Sequence, residues 1–291
     1  MMNKLSSYSQ GNSPPLMHQR TAMHIKRLLS QRPHAILLSG AEGSGKQYLA
    51  EYLAMQLLDD AQVARSPHYH VIQPNDKGVI PIEEVRRIRE ITSLKEVGYR
   101  DISRVVCLID VHTMVDAAHH ALLKLLEEPP IGTLFILTTS APERLPETVR
   151  SRVSMAAVLP VNKEQLAQQF SSTTKDAERA YHLSGGNVGL YQALLHEGDD
   201  HPYVQAIAQA KKLIASSAYE RLCLIDSLDS AKDPDKAVRT LVALERLLSY
   251  SFQQKPSSGL QRRLIAIVES IDSLQKRSNR RLVLADLFLN L

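Results

Sequence analysis

The sequence predicts an α/β domain built on a parallel sheet, followed by an all-helical second half. Three observations lead to this prediction. Short apolar runs alternate with amphipathic segments over residues 35–158, a pattern typical of parallel strands joined by helices. After Pro160 no further strand pattern occurs, and apolar residues recur at helical spacing as far as Leu291. A chain of 291 residues is also too long for one compact core, so we expect more than one domain.

The elements of the first half follow from the local pattern. Apolar residues at helical spacing predict a helix over 23–29, which ends before Pro33. The apolar run AILLS at 35–39 stops at Gly40 and therefore predicts a buried strand. Leucine and tyrosine residues on one face then predict a helix over about 45–58.

The same alternation continues along the chain. A short apolar run predicts a strand over 70–72, and isoleucine and valine at every third position predict a helix over 82–94. The runs RVVCLID and TLFILTT predict buried strands over 104–110 and 133–139. The helix between these two strands, 117–128, ends at two prolines because proline cannot continue a helix.

The second half divides into two helical blocks. They cover 161–196 and 203–291, and the polar stretch 197–200 separates them. We therefore predict three domains, residues 1–158, 159–200 and 201–291.

The composition is that of an ordinary globular protein, with 44% hydrophobic and 23% charged residues. It excludes collagen-like, low-complexity and disordered classes. No apolar run approaches the roughly 18 residues of a membrane span, and the polar N-terminus lacks the apolar segment of a secretory signal. We therefore expect a cytoplasmic protein. The net charge of +4 is compatible with a nucleic-acid partner but does not indicate one.

Cysteine and histidine patterns give no reason to expect a metal. The two cysteines, Cys107 and Cys223, lie in apolar runs far apart in the sequence, which predicts buried thiols in a reducing compartment. Two cysteines cannot make a four-cysteine zinc site, and His68 and His70 have no further ligand within suitable spacing. We expect neither zinc nor another metal centre formed by protein ligands.

The segment GAEGSGKQ, residues 40–47, fits the G-x-x-x-x-G-K phosphate-binding pattern between a strand and a helix. Glycines let backbone N–H groups face a phosphate, the helix N-terminus adds positive potential, and Lys46 supplies a cation. Gln47 departs from the pattern because a serine or threonine there would bring its hydroxyl to Mg²⁺. A glycine-rich turn without a ligand stays open as the alternative interpretation.

The next acidic strand departs from an ATPase in a similar way. Asp110 follows an apolar run and is placed to reach a Mg²⁺-bound water, but Val111 stands where an ATPase has a glutamate. His112 and Asp116 are interpreted as polar groups at a helix entry. We expect a non-hydrolysing relic of a nucleotide site, which binds ATP and Mg²⁺ weakly or not at all. Its candidate residues are Gly40, Gly43, Ser44, Gly45, Lys46, Gln47 and Asp110.

Three segments resemble the bacterial clamp-loader AAA+ subunits. The run ALLKLLEEPP at 121–130 closely resembles a helix motif of that family, and residues 137–152 resemble its sensor-1 strand and Ser-Arg-Cys motif, with Val153 in third place. The run NRRLVLADLFLNL at 279–291 resembles the closing helix of the delta-prime type of DNA polymerase III subunit. The resemblance extends from about residue 15 to 291. It implies an α/β AAA+ P-loop domain, a small helical lid and an all-α collar used for oligomerisation.

Two subunit types of this family compete. The gamma/tau motor type would have GKT or GKS, an acidic pair, a four-cysteine zinc module and a sensor-2 arginine where Gly189 stands. Each departure favours the delta-prime type, which the resemblance links to loading the sliding clamp onto primed DNA with gamma/tau and delta subunits. A motor-type or autonomous ATPase stays open because the phosphate loop and Asp110 are present. A small-molecule kinase is disfavoured because the helical second half offers no acceptor site.

The resemblance also assigns roles to single residues. In the family, the arginine of the Ser-Arg pair points at the γ-phosphate bound by a neighbouring subunit, which makes Arg152 the candidate arginine finger acting in trans. The alternative is a surface arginine that closes the core domain. Thr139 and Ser140 are candidates for the sensor-1 position, or else polar caps at a strand end.

Overall fold

A computed structural model of the chain describes residues 14–93, 101–170, 175–195, 202–229, 233, 235–276 and 278–291. These residues form two compact units, which divide the chain into residues 1–165 and 166–291. The predicted boundary between a second and a third domain, at 200/201, lies outside the described residues. The division into three domains therefore stays a prediction.

The first unit is a parallel sheet of five strands in the order β2-β3-β4-β1-β5, which confirms the predicted fold class. The strands are β1 (Ala35–Ser39), β2 (Tyr69–Ile72), β3 (Arg104–Leu108), β4 (Thr133–Thr139) and β5 (Ser154–Ala157). The helices are α1 (Gln19–Ser30), α2 (Lys46–Leu58), α3 (Ile82–Ser93), α4 (Asp116–Glu127) and the single turn α5 (Glu147–Arg150).

Both faces of the sheet are covered, and this explains the continuous apolar strands. Alternate residues of β1 belong to different clusters of buried side chains. Leu37 joins the cluster that includes Ile88 of α3 and Leu122 of α4. Ile36 joins the cluster that includes Leu49 of α2. A strand buried on both sides needs apolar residues throughout rather than at alternate positions.

Two departures from the predicted elements have a clear physical reason. Strand β5 has the sequence SMAA, which no β-branched residue marks as a strand; it forms because its backbone pairs with β1, Ile36 beside Ser154. Strand β3 ends at Leu108 rather than at 110, because Asp110 turns into the left-handed region with a φ of 51°. The predicted last residue of helix α3, Leu94, lies outside the described residues.

The two cysteines lie in different environments. Cys107 on β3 is buried, as predicted, whereas Cys223 is exposed and the prediction of a buried thiol there is wrong. Cys223 ends a short helix, Ala218–Cys223, none of whose residues is buried. Its apolar neighbours in sequence therefore do not bring it into the core.

The elements in the described part of the second unit are all helices. Among the described residues, its core is formed mainly by four helices, over 202–215, 236–254, 258–275 and 280–290. A polar contact adds to this apolar packing, because Arg246 Nη1 donates a hydrogen bond to the carbonyl oxygen of Leu183 at 2.8 Å. The helices are α6 (Lys163–Phe170, which begins in the first unit), α7 (Lys175–Ser184), α8 (Val188–Leu195), α9 (Pro202–Ala215), α10 (Ala218–Cys223), α11 (Ile225–Leu228), α12 (Lys236–Gln254), α13 (Ser258–Gln275) and α14 (Arg280–Asn290).

Within the ranges that the structure describes, no helix combines the length and the apolar character needed to cross a membrane.

Candidate functional site

The candidate phosphate loop connects the carboxyl end of β1 to the first turn of α2. Gly43 and Gly45 have φ values of 76° and 84°, a region that residues with a Cβ rarely adopt. Gly40 is needed for a different reason, since a Cβ there would lie 2.7 Å from the carbonyl oxygen of Val158. The loop therefore takes its shape from three glycines, two through their backbone angles and one through close packing.

Lys46, the first residue of α2, folds back over this loop. Its Nζ donates to the carbonyl oxygens of Gly40 and Ala41, each at 2.8 Å. Burial lowers the pKa of Lys46, while the nearby carboxylates of Asp110 and Glu42 act in the opposite direction. The cation that the pattern assigns to a phosphate thus binds the loop's own backbone.

Two further loop positions contribute polar side chains. The Ser44 hydroxyl is buried and has no hydrogen-bond partner among the residues that the structure describes. Such an unsatisfied donor costs free energy unless a ligand or water supplies a partner. Gln47, at the position of the expected Mg²⁺ ligand, lies half-buried in the first turn of α2.

Asp110 lies beyond the end of β3, where its backbone N–H donates to the Thr138 hydroxyl at 3.0 Å. The sheet therefore brings Asp110 to the same edge as the phosphate loop. The next residue, Val111, is fully buried in one of the two cores of the first unit. The position that would carry a catalytic glutamate in an ATPase is thus part of the hydrophobic core.

Thr139 and Ser140, at the carboxyl end of β4, lie around a histidine. The Thr139 Oγ1 and Ser140 Oγ atoms are 3.2 Å and 3.4 Å from His112 Nδ1 and Nε2. The backbone N–H of Gly40 donates to the carbonyl oxygen of Thr139 at 3.2 Å, which joins this end of β4 to the phosphate loop. Sequence reasoning interpreted His112 as a helix-entry residue. The only signal for its contacts was that β3 and β4 end nearby in a parallel sheet.

Arg152 is not part of this edge. Val153 alone separates it from β5, which runs parallel to β1. Arg152 therefore lies near the amino ends of the strands, whereas the phosphate loop follows the carboxyl end of β1. The Arg152 side chain is about one-third exposed and lies 2.8 Å from a carboxylate oxygen of Glu127. The structure brings the candidate nucleotide residues together and places the candidate finger at the other end of the sheet.

The part of the chain that holds this site matches a known protein family. Residues 18–162 match the family described as "DNA polymerase III, delta subunit". This range holds the whole sheet, the phosphate loop and Arg152.

Individual proteins are similar over a longer stretch. The delta-prime subunit of DNA polymerase III from Pseudomonas aeruginosa is 32% identical over 208 residues, which cover 64% of this chain and 62% of that protein. The delta-prime subunit from Escherichia coli K12 is 30% identical over 198 residues, 61% of this chain and 58% of that protein. The chain thus spans about three-fifths of the length of these relatives. The tau subunit from Escherichia coli K12 is 26% identical over 178 residues, 56% of this chain and 27% of that protein.

A solved structure supports the fold. The gamma subunit-related protein of DNA polymerase III from Thermotoga maritima superposes with a TM-score of 0.53 at 18% identity, over 93% of this chain and 97% of that one.

Proposed function

Because the chain belongs to the DNA polymerase III delta-subunit family over residues 18–162, we propose that it is a delta-prime-like subunit of the clamp loader of DNA polymerase III. In this role it helps to load the sliding clamp onto primed DNA in the cytoplasm. Its partners are the gamma/tau and delta subunits, and through them the clamp and the DNA. The similarity to two delta-prime subunits at 30% and 32% identity supports this role.

The subunit does not hydrolyse ATP itself. Val111 belongs to the core instead of providing an acid that orients water, and Gln47 lacks the hydroxyl that usually binds Mg²⁺. The residues present fit the phosphates of a nucleotide, since the loop has left-handed glycines and an unsatisfied Ser44 hydroxyl. They do not fit a hydrolytic centre. A nucleotide in this loop would be held by Gly43, Ser44 and Gly45, with Lys46 released from its two carbonyl partners.

Arg152 acts on a neighbouring subunit. The observation that carries this proposal is its place near the amino ends of the strands, away from the chain's own phosphate loop. A guanidinium stays charged and is planar, so it can neutralise the charge that develops on a phosphoryl group. An arginine finger of this kind accelerates phosphoryl transfer by roughly 10³- to 10⁵-fold.

The test measures ATP hydrolysis by a clamp loader reconstituted with clamp and primed DNA. Arg152→Ala should lower the turnover of the complex, because one of its ATP sites loses a finger. Arg150→Ala, a change at an exposed arginine of the same segment, should leave the turnover near the wild-type value. If both variants match the wild type, Arg152 is a structural residue and the assignment of a finger fails.

The other candidate function is an autonomous ATPase, which the phosphate loop and Asp110 favour. The purified chain alone discriminates between the two. No hydrolysis by the isolated chain agrees with a subunit that assists a motor. Steady turnover by the isolated chain, abolished by Lys46→Ala, would mean that Gln47 and Val111 are compatible with hydrolysis and that this protein is a motor.

A further inference from the structure

We propose that Glu127 is the positioning residue of Arg152, holding the guanidinium in the orientation in which it meets a phosphate of the neighbouring subunit. This inference rests on the proposed function, since it assigns a role to a residue that acts through the finger. Glu127 is the last residue of α4 and Arg152 follows α5, so the pair connects two elements that are distant in sequence.

The guanidinium is held on two of its nitrogens. Arg152 Nη2 lies 2.8 Å from Glu127 Oε1. Arg152 Nη1 donates to the carbonyl oxygen of Thr148 at 2.9 Å and to the Ser151 hydroxyl at 3.4 Å. The contacts to Thr148 and Ser151 come from the arginine's own segment and move with it. Among the described residues, Glu127 is the one that ties the head group to a different element, and it therefore fixes the direction of the side chain relative to the sheet.

The ion pair is poorly placed to stabilise the fold. The side chains of Arg152 and Glu127 are 37% and 48% exposed, and exposed ion pairs contribute little to folding stability because water screens them. Glu127 also lies at the C-terminus of a helix, where the helix dipole disfavours a carboxylate. A folding role therefore does not account for an acid at this position, whereas holding an arginine does.

Without Glu127 the guanidinium would keep its contacts to Thr148 and Ser151 but lose its tie to α4, so more side-chain rotamers would be open to it. The side chain would lose much of this conformational entropy when the guanidinium binds a phosphate, and this loss raises the free energy of the transition state. Holding the guanidinium in advance reduces the loss. When a phosphate binds Arg152 Nη2, it replaces the Glu127 carboxylate there, so the carboxylate must move away. The exposure of both side chains permits this movement.

The adjacent residue offers a matched control. Glu128 has the same charge and is exposed, but within the described part of the chain no ion pair of Glu128 is present. A change at Glu128 removes the same charge from almost the same place without touching the finger.

The experiment compares Glu127→Ala, Glu127→Gln and Glu128→Ala in the reconstituted loader with clamp and primed DNA, each with and without Arg152→Ala. We expect Glu127→Ala to lower the turnover number roughly three- to tenfold, since misplacement of a reacting group mainly reduces the rate of the chemical step. The KM for ATP should change little. Glu127→Gln, which keeps an oxygen acceptor but no charge, should fall between the wild type and Glu127→Ala. Glu128→Ala should match the wild type.

The combined variants separate positioning from a structural effect. If Glu127 acts through the finger, Glu127→Ala should cause no further loss once Arg152 is alanine. An equal loss in both backgrounds would overturn the proposal, because Glu127 would then act elsewhere. Unchanged or faster turnover with Glu127→Ala would overturn it too, since the carboxylate would be neutral or would hold the finger back. If Arg152→Ala itself has no effect, the proposed finger fails first, and the assignment of Glu127 fails with it.

Discussion

At the scale of single residues, Gly40 and Gly45 illustrate two different demands on a loop. Gly45 has a left-handed backbone, but a Cβ there would meet nothing within 4 Å. At position 40, by contrast, an added Cβ would lie against the carbonyl oxygen of Val158. The N–H of Val158 donates to the Ser39 carbonyl oxygen at 2.7 Å. The backbone at Val158 therefore cannot move aside without weakening the pairing of β1 and β5.

Gly40→Ala should thus destabilise the protein more than Gly45→Ala. We expect a loss of about 2–3 kcal/mol for Gly40→Ala, as for overpacking a rigid site, and about 1 kcal/mol for Gly45→Ala, the cost of a left-handed alanine. Urea unfolding followed by circular dichroism measures both changes. A larger loss for Gly45→Ala would mean that backbone strain, not the contact with Val158, controls this loop.

Also at the residue scale, the phosphate loop was predictable because its residues are consecutive and match a known phosphate-binding pattern. The contacts of His112 with Thr139 and of Glu127 with Arg152 were not. Each joins residues more than twenty positions apart, and no periodicity or motif records which side chains meet across neighbouring elements. Val111 was predictable only in part: the sequence shows that the residue is apolar but not that it is buried in the core.

At the scale of elements, helix α13 has an apolar face toward the core and another toward solvent. Ile267 is fully buried, whereas its neighbour Val268 is 54% exposed. The buried face repeats at the helical period through Leu264, Ile267 and Ile271. Ile265 and Val268 lie outside this face.

Ile267→Ala should therefore destabilise the protein by about 2–4 kcal/mol, because it removes buried atoms and leaves a cavity. Val268→Ala should change stability by less than about 0.5 kcal/mol, as expected for an exposed position. Guanidinium unfolding followed by helical circular dichroism compares the two variants. Similar losses at both positions would contradict the assignment of the buried face.

Element by element, the central strands were predictable and the edge strand β5 was not. Burial on both faces makes β1, β3 and β4 continuously apolar, a signal that a sequence displays directly. Strand β5 depends on pairing with β1, and its small residues carry no such signal. In α13 apolar residues occur on both the buried and the exposed face, so the helical repeat of apolar residues in the sequence does not distinguish core positions from exposed ones.

At the scale of the whole molecule, the buried clusters of the described residues do not run from one unit into the other. Among the residues that the structure describes, the buried clusters of the first unit contain none beyond Val158, and the cluster of the second unit begins at Leu183. Separate cores allow one unit to open without the other, since local stability follows local burial.

Ile267→Ala should accordingly accelerate amide hydrogen exchange in α12 and α13 and leave exchange in β1 and β4 unchanged. Gly40→Ala should have the reverse effect. Exchange measured by mass spectrometry under native conditions gives both patterns in one experiment. Faster exchange throughout the chain for either variant would show that the two units unfold as one.

The alternation of β1 between two cores has a consequence for how sequences of this fold can diverge. Adding or deleting one residue within Ala35–Ser39 would turn every following side chain of the strand to the opposite face and exchange its contributions to the two cores. Substitutions that keep apolar volume are tolerated there, but a change of length is not. Evolution can lengthen or shorten this chain in the connections between elements, while the strand itself keeps a fixed count of residues.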